Sequence, residues 1–281
     1  MLGRLRNLTI GLAAAALLAA GALYAAVPFL ERGMVFHPST YDPARPWRLP
    51  AGGSDVWIAT EDKDVRLHGW FLPASDAPNG STVLMLHGNA GTLVDLAPEA
   101  EMLRRRGFDI LLVDYRGYGR SGGRTLDEAT LRLDGAAALA YLTAERAIAP
   151  DKIALFGFSL GTVVAAELAV AAPCRAVALV APLASARRQA LKRFPWMPAL
   201  LLDGMRNRFD TQAKIGRANC PVMVVHGTAD TVIPFAEGRA VYDAARQPKR
   251  LLAVAGGPHW LGNTDGRAWV EEIASFFAAS P

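Results

Sequence analysis

The sequence predicts an α/β fold: a mostly parallel eight-stranded sheet with helices on both faces, a short helical lid, and one preceding N-terminal transmembrane helix. Three observations support this prediction. Short apolar runs alternate with helical patterns from residue 82 onward, as in a sheet that is buried on both faces. Two further strand patterns precede this alternation, at Val56–Thr60 and Val65–Leu72, and a long uncharged segment stands near the N-terminus.

The N-terminal segment carries no charged side chain from Leu8 to Leu30, a run of 23 residues that is long enough to cross a bilayer. Arg4 and Arg6 precede it, so the N-terminus is expected in the cytoplasm and the rest of the chain on the exported side. The alternative is secretion after cleavage of a signal peptide, with Ala20–Ala22 as the small-residue site. Signal peptides have apolar cores of about 7–15 residues, so the length favours an uncleaved anchor.

We divide the chain into residues 1–32, the anchor or signal segment, and residues 33–281, a single α/β domain. Residues 33–52 are rich in proline and aromatic residues and suit an extended connection on the domain surface. The alternating strands are predicted at Thr82–Leu86, Ile110–Val113, Ile153–Phe156, Ala176–Val180, Val222–Val225 and Leu251–Val254. The helices are predicted at residues 93–106, 126–146, 160–172, 185–202, 236–246 and 266–278.

A serine lies where one predicted strand meets the next helix, in the sequence Gly157-Phe158-Ser159-Leu160-Gly161. So sharp a turn strains the serine backbone and exposes its hydroxyl at the strand's C-terminal edge, beside a helix N-terminus that favours negative charge. The residues two before and two after it must lack bulk, or they would collide across the turn. The alternative is an ordinary turn in which the serine caps the helix. The strand before the motif and the helix after it favour a nucleophile.

A serine hydroxyl needs a base to take its proton and a third group to orient that base. In this type of sheet, such groups lie on loops after the C-terminal ends of strands. Of the five histidines, His259 alone follows the last predicted strand, and Asp230 lies on the loop after the strand before it. The order Ser159, Asp230, His259 is then nucleophile, acid and base. A loop Asp or His is ordinarily a surface residue, but three residues after successive strands in this order favour a catalytic set.

The oxyanion of an acyl-transfer reaction needs two backbone donors. The first is expected to be the N–H of Leu160, directly after the nucleophile. The second is expected from the glycine-containing loop His87–Gly91, with Asn89 as the choice and Ala90 as the alternative. On its position alone, His87 is expected to support this loop rather than to transfer protons.

A second glycine motif, Gly117–Gly122, has the spacing Gly-x-Gly-x-x-Gly and follows a predicted strand. A dinucleotide site would need a helix that begins at this turn, after the first strand of the sheet. Here the next helical pattern begins only near Leu126, and the motif follows a later strand. We therefore interpret it as a glycine-rich turn that clears space near the site.

The net charge of +4 comes from 30 basic and 26 acidic residues that are scattered along the chain, so it does not indicate nucleic-acid binding. The largest basic excess lies in residues 187–217, where cations alternate with aromatic and aliphatic side chains. The favoured interpretation is a solvated helix face. The alternative is a cap over the active site that also touches anionic lipid headgroups.

Two cysteines, Cys174 and Cys220, each stand just before a predicted strand, without the spacing of a metal site. If those strands are parallel neighbours, a disulfide could form in an oxidising compartment. Two buried thiols are the favoured expectation.

Together these motifs resemble the α/β-hydrolase superfamily, and more narrowly its Bem46-like membrane-anchored serine hydrolases, with a hydrolase domain of the serine aminopeptidase S33 type. That branch is related to mammalian depalmitoylating thioesterases. The matching blocks span about residues 55–281 and are His87–Gly91, Asp114–Ser121, Gly157–Gly161 and His226–Pro234, together with the His259 loop. Pro258 and Trp260 depart from the family pattern around that histidine.

The resemblance implies hydrolysis of esters or thioesters through an acyl-enzyme, with Ser159, Asp230 and His259 catalytic and Asn89 and Leu160 holding the oxyanion. It calls for no metal and no cofactor. The anchor and the basic, aromatic segment suggest a small-molecule or lipid-like acyl substrate near a membrane. The alternatives are an inactive membrane-tethered scaffold on the same fold, or an acyltransferase or peptidase that uses the same three residues.

Overall fold

A computed structural model of the protein describes residues 2–44, 47–125, 127–196 and 202–281. The strands are β1 (Ser54–Ala59), β2 (Arg66–Leu72), β3 (Thr82–Leu86), β4 (Asp109–Val113), β5 (Ile153–Phe158), β6 (Ala176–Val180), β7 (Val222–Gly227) and β8 (Lys249–Val254). Within the described residues they form one eight-stranded sheet in the order β1-β2-β4-β3-β5-β6-β7-β8. Strand β2 is antiparallel to both of its neighbours, and every other neighbouring pair is parallel. The predicted sheet is confirmed.

The α-helices are α1 (Leu2–Val35), α2 (Ala97–Arg105), α3 (Glu128–Ala140), α4 (Leu160–Ala171), α5 (Ala186–Arg193), α6 (Thr211–Ile215), α7 (Phe235–Ala244) and α8 (Ala268–Ala279). The helix predicted at residues 93–106 starts as a 3-10 turn over Leu93–Leu96, and the α-helix begins at Ala97, with Pro98 in its first turn, where proline is tolerated. Helix α6 was not predicted, since its five residues are too few for a periodic pattern. The lid helix predicted at 185–202 ends at Arg193, and residues 197–201 lie outside the described part of the chain.

The two faces of the sheet pack into two separate apolar cores, because side chains alternate along each strand. In β5, Ile153 and Leu155 belong to the core under α3 and α4. Ala154 and Phe156 point to the opposite core under α2 and α8. Strands β3, β5, β6 and β7 are buried along their whole length. This burial explains why their sequences are continuous apolar runs rather than alternating ones.

Helix α1 extends as one 34-residue helix from the N-terminus into the domain. Its segment Thr9–Val27 is exposed, and it is long and apolar enough to cross a membrane; a signal sequence has the same character. The helix continues to Val35, three residues past the domain boundary predicted from the sequence. Its C-terminal part, which includes the buried Glu31, packs against the domain.

Cys174 and Cys220 form a disulfide, with 5.6 Å between their Cα atoms, so the expectation of two buried thiols is wrong. The reason is the sheet topology. Because β6 and β7 are parallel neighbours, the residues just before them meet at the same edge of the sheet.

The contact between α4 and the sheet generates a first prediction. A Cβ atom on Gly161 would overlap the carbonyl oxygen of Leu86 in β3, and a backbone atom there cannot swing aside. We expect Gly161→Ala to lower the free energy of unfolding by about 1–3 kcal/mol through overpacking. Thermal unfolding of the purified protein, followed by circular dichroism, measures this. Gly33→Ala in α1, where nothing lies within 4 Å of the added atom, is the matched control. Equal melting temperatures for the two variants would contradict the prediction.

Candidate active site

Ser159 sits at the sharp turn between β5 and α4, with φ 51° and ψ −113°. Positive φ is rare for a residue with a side chain and signals local strain. The turn is held from both sides. The Ser159 N–H donates to the carbonyl of Val180 in β6 at 2.9 Å, and a Cβ on Gly157 would overlap the carbonyl oxygen of Gly161. The two glycines are therefore required for the close approach that raises the serine hydroxyl above the sheet edge.

The side chains of Ser159, Asp230 and His259 meet at the C-terminal edge of the sheet. The His259 Nε2 atom lies 3.0 Å from Ser159 Oγ, and its Nδ1 atom lies 2.7 Å from Asp230 Oδ2. The structure thus brings together three residues that the sequence placed after β5, β7 and β8. With Nδ1 protonated and donating to the carboxylate, Nε2 has a free lone pair directed at the hydroxyl. This arrangement can accept the serine proton.

The carboxylate of Asp230 is oriented by several donors on its own loop. Its Oδ1 accepts the backbone N–H groups of Val232 and Ile233, both at 2.8 Å. Burial alone would raise the pKa of Asp230, but hydrogen bonds from His226, His259 and the Ile233 N–H outweigh it and hold that pKa well below its usual range. The group is therefore an anion at neutral pH, as is needed beside an imidazole that becomes charged.

The loop after β3 lies beside Ser159, and the side chain of Asn89 holds it there. The Asn89 Nδ2 donates to the carbonyl of Val35 at 2.5 Å, and its Oδ1 accepts from Tyr118 Oη at 2.9 Å and from the His37 N–H at 3.1 Å. The side chain is thus engaged within the protein, and the oxyanion role expected of the Asn89 backbone N–H stays a prediction. Asn89 and Leu160 both line the cavity that contains Ser159.

Comparisons with known proteins bear on the same residues. The sequence pattern of the alpha/beta hydrolase fold matches residues 81–209. An uncharacterized protein of Mycobacterium tuberculosis is 35% identical over 250 residues, which is 88% of this chain and 86% of that protein. The uncharacterized protein YfhR of Escherichia coli K12 is 30% identical over 241 residues, covering 81% of this chain and 84% of its own length. The chain belongs to the α/β-hydrolase superfamily.

Two further similarities agree with this assignment. The alpha/beta hydrolase domain-containing protein 17C of Mus musculus is 34% identical over 210 residues, which is 73% of this chain and 62% of that protein. The solved structure of the Pyrococcus furiosus esterase Pf2001 superimposes with a TM-score of 0.69 at 23% identity, covering 86% of this chain and 96% of the esterase. At that identity the superposition speaks for the fold.

His87 is buried in this α/β-hydrolase at the base of the loop that carries Asn89. Its Nδ1 lies 2.7 Å from the carbonyl of Gly88, and its ring packs 4.5 Å from that of Tyr115, centroid to centroid. Burial lowers the pKa of His87 and favours the neutral ring. This position agrees with the expectation that His87 supports the loop.

Two residues that sequence reasoning missed support the site from behind. His226, at the end of β7, lies with its Nε2 3.2 Å from Asp230 Oδ2 and 2.8 Å from the carbonyl of Ile233. Tyr118, in the glycine-rich turn, donates its hydroxyl to Asn89. Burial raises the pKa of Tyr118 and so keeps it a donor. For His226 a signal was present, because it ends the strand that leads into Asp230.

The Gly117–Gly122 segment is a turn against the chain that follows α1, with the Gly119 N–H donating to the Ser39 carbonyl at 2.8 Å. No helix begins there, because α3 starts only at Glu128. The segment is therefore a turn, as predicted, and the expectation that it clears space near the site stays a prediction.

A cavity of about 550 Å³ opens above Ser159, and its lining is mostly apolar, with polar side chains from Glu31, Asn89, Gln189 and Arg193. Its volume lies within the range of about 300–1,000 Å³ that is usual for small-molecule sites. Four residues of α5 cover one side of it, namely Ala186, Gln189, Ala190 and Arg193. Among the described residues, no group of three or more His, Cys, Asp or Glu side chains is arranged to hold a metal ion.

The basic residues of the 187–217 segment are exposed or partly exposed, and several are ion-paired. Arg188 and Lys192 both contact the buried Glu237 of α7, at 3.1 and 2.6 Å. Lys214 contacts Glu128 at 3.0 Å. Helix α5 therefore lies over the cavity, as in the cap interpretation, with Arg193 on the cavity side and with Arg188 and Lys192 on the side of Glu237. Contact with lipid headgroups stays a prediction.

The Asp230 environment generates a second prediction. We expect Asp230→Asn to slow the reaction of Ser159 with a fluorophosphonate by about 10²–10⁴-fold at pH 7, because an amide neither selects the productive imidazole tautomer nor stabilises its cation. Labelling rates of the purified protein measure this. Asp243→Asn is the matched control, since Asp243 is exposed on α7 and paired with Arg239. Equal labelling rates for Asp230→Asn and the control would show that Asp230 has no part in activating the serine.

Proposed function

We propose that the protein is a serine hydrolase that cleaves ester or thioester bonds of acylated or lipid-like substrates through an acyl-enzyme intermediate. The observation that carries this proposal is the position of Ser159. Its hydroxyl lies 3.0 Å from the His259 imidazole, which is hydrogen-bonded to Asp230, and Ser159 lines a large apolar cavity. The Ser159 hydroxyl therefore has both a base to activate it and a cavity that can hold a substrate beside it.

The reaction follows from these positions. Ser159 Oγ attacks the acyl carbonyl carbon while His259 Nε2 takes its proton, and Asp230 stabilises the imidazolium. The backbone N–H groups of Leu160 and Asn89 hold the oxyanion. The bond to the alcohol or thiol then breaks, and the leaving group takes the proton from His259. A water molecule attacks the acyl-enzyme and gives a proton to His259, which passes that proton to Ser159 Oγ as the acyl–oxygen bond breaks and the acid leaves.

The character of the cavity supports an acyl substrate. Burial of an alkyl chain in an apolar cavity stabilises the complex by about 0.8 kcal/mol per CH₂ group. It offers few hydrogen-bonding partners to a peptide or a sugar.

We propose that the chain belongs to the Bem46-like branch of the superfamily. The block His226–Pro234, and the combination of the hydrolase domain with an apolar N-terminal helix, support this proposal.

The alternatives use the same fold. An inactive scaffold would have no need for a hydroxyl, an imidazole and a carboxylate at hydrogen-bonding distances in this order. Acyl transfer to an alcohol and peptide hydrolysis use the same three residues and differ only in the acceptor or the leaving group. Product analysis with competing alcohol acceptors separates acyl transfer from hydrolysis.

We further propose that α1 anchors the protein in a membrane and that the domain lies on the exported side. Arg4 and Arg6 before the apolar segment support this orientation. The disulfide between Cys174 and Cys220 supports it independently, because disulfides persist in oxidising compartments.

The hydrolase proposal predicts that purified protein reacts with a fluorophosphonate probe and hydrolyses p-nitrophenyl esters. Ser159→Ala is expected to abolish labelling and to lower kcat by about 10³-fold or more. Ser275→Ala, on the exposed side of α8, is expected to leave both unchanged. Labelling absent from wild type, or equal in wild type and Ser159→Ala, would refute the proposed nucleophile.

The localisation proposal predicts that both cysteines are oxidised in cells. Cells are quenched in acid, denatured and treated with a maleimide of high mass, with and without prior reduction. We expect a gel shift only after reduction, because a reducing cytoplasm would leave both thiols free to react. A shift by two labels without reduction would place the domain in the cytoplasm.

A further inference from the structure

One face of α1 lines the cavity above Ser159. Among the described α1 side chains, those of Leu23, Val27, Glu31 and Val35 do so. They are spaced by four, so they form a single stripe along the helix. The anchor helix is therefore a wall of the cavity and not only a tether for the domain.

Glu31 fixes this wall to the segment that returns from the lid. It is buried, and its two carboxylate oxygens accept the backbone N–H groups of Arg206 and Asn207, both at 2.9 Å. Asn207 in turn accepts the Glu128 N–H at the start of α3, at 2.6 Å. A buried carboxylate is costly unless its oxygens are hydrogen-bonded. Here two backbone donors meet that requirement.

The end of α1 also holds the loop beside Ser159. The carbonyl of Val35, the last residue of the helix, accepts from Asn89 Nδ2. The next residues continue the contact, because the His37 N–H donates to Asn89 and Ser39 Oγ donates to the Ala90 carbonyl at 2.6 Å. The position of the loop therefore depends on where α1 ends.

The cavity begins at the level where the apolar span ends. Leu23 and Val27 belong both to the candidate span Thr9–Val27 and to the cavity lining. Trp196, which also lines the cavity, is largely exposed at 76%. Exposed tryptophan is typical of the membrane–water interface. A chain lying along the α1 stripe would thus pass from the span to Ser159 without crossing water.

From these contacts we infer that α1 is a specificity-determining wall of the substrate site, and that the acyl chain reaches Ser159 from the bilayer along the stripe of Leu23 and Val27. The occupant is the acyl chain of an ester or thioester held in the membrane. The inference rests on the proposed serine-hydrolase function. It adds the source of the substrate and the residues that determine which acyl-chain lengths the site accepts.

The first experiment blocks the stripe in the full-length protein reconstituted in nanodiscs. Val27→Trp places an indole in the cavity and is expected to lower kcat/KM for p-nitrophenyl dodecanoate and hexadecanoate at least tenfold. The loss is expected to be smaller for the acetate and butyrate, so that the ratio of long-chain to short-chain kcat/KM falls. Leu18→Trp, on the same helix but 75% exposed and away from the cavity, is the matched control.

A second variant keeps the test decisive if the indole disturbs folding. Val27→Ala enlarges the cavity at the same position and is expected to shift the preferred substrate to a longer acyl chain. A ratio of long-chain to short-chain kcat/KM that is unchanged in both Val27 variants would overturn the role of α1. Wild-type protein that neither reacts with the probe nor hydrolyses any ester would instead refute the proposed function itself, so the two failures are distinguishable.

The second experiment tests the source of the acyl chain. Protein in liposomes is supplied with a long-chain thioester either in its own bilayer or in separate protein-free vesicles, at equal total concentration. We expect an initial rate at least tenfold higher when enzyme and substrate share a bilayer. Equal rates would show that the substrate arrives through water and would overturn the membrane route.

Discussion

The whole site depends on one strained turn, in which Ser159 is held at a positive φ between β5 and α4. Such a backbone costs about 1–3 kcal/mol and persists only where the surroundings impose it. Here the surroundings are the parallel pairing of β5 on both sides and the glycine contacts that bring α4 against β3. Because the strain is borne by the core of the sheet, the hydroxyl stays at a fixed distance from the loops that carry His259 and Asp230.

Polar groups and apolar surface are separated within this site. Donors and acceptors converge on Asp230, His259 and the Asn89 loop, whereas the cavity above Ser159 is apolar. In such surroundings an electrostatic interaction is stronger than in water. The carboxylate of Asp230 keeps its charge in spite of burial, because the hydrogen bonds that it accepts lower its pKa by more than desolvation raises it. The neutral, buried Tyr118 has the complementary role, since it remains a donor to the loop.

The features that could be predicted from the sequence are those that depend on neighbouring positions along the chain. The strands are continuous apolar runs, and Ser159, Asp230 and His259 each follow one of them, so topology alone brings them to one edge. What could not be predicted depends on contacts between distant segments. Glu31 meets the Asn207 N–H across 176 positions, and no local pattern marks that pairing. The disulfide likewise depends on which strands are neighbours in the sheet. The ion pairs of Arg188 and Lys192 in α5 depend on Glu237 in α7.

The charge on α1 distinguishes an anchor from a wall. A helix that served only to hold a domain at a membrane would have no reason to bury a carboxylate. Nor would it need to repeat apolar side chains every fourth residue toward a cavity in that domain. Helix α1 does both: Leu23 and Val27, at the end of the apolar segment, and Val35 after it line the cavity, and the buried Glu31 lies between them. Since the same helix ends in the carbonyl that accepts from Asn89, the position of α1 directly affects the geometry of the proposed oxyanion site.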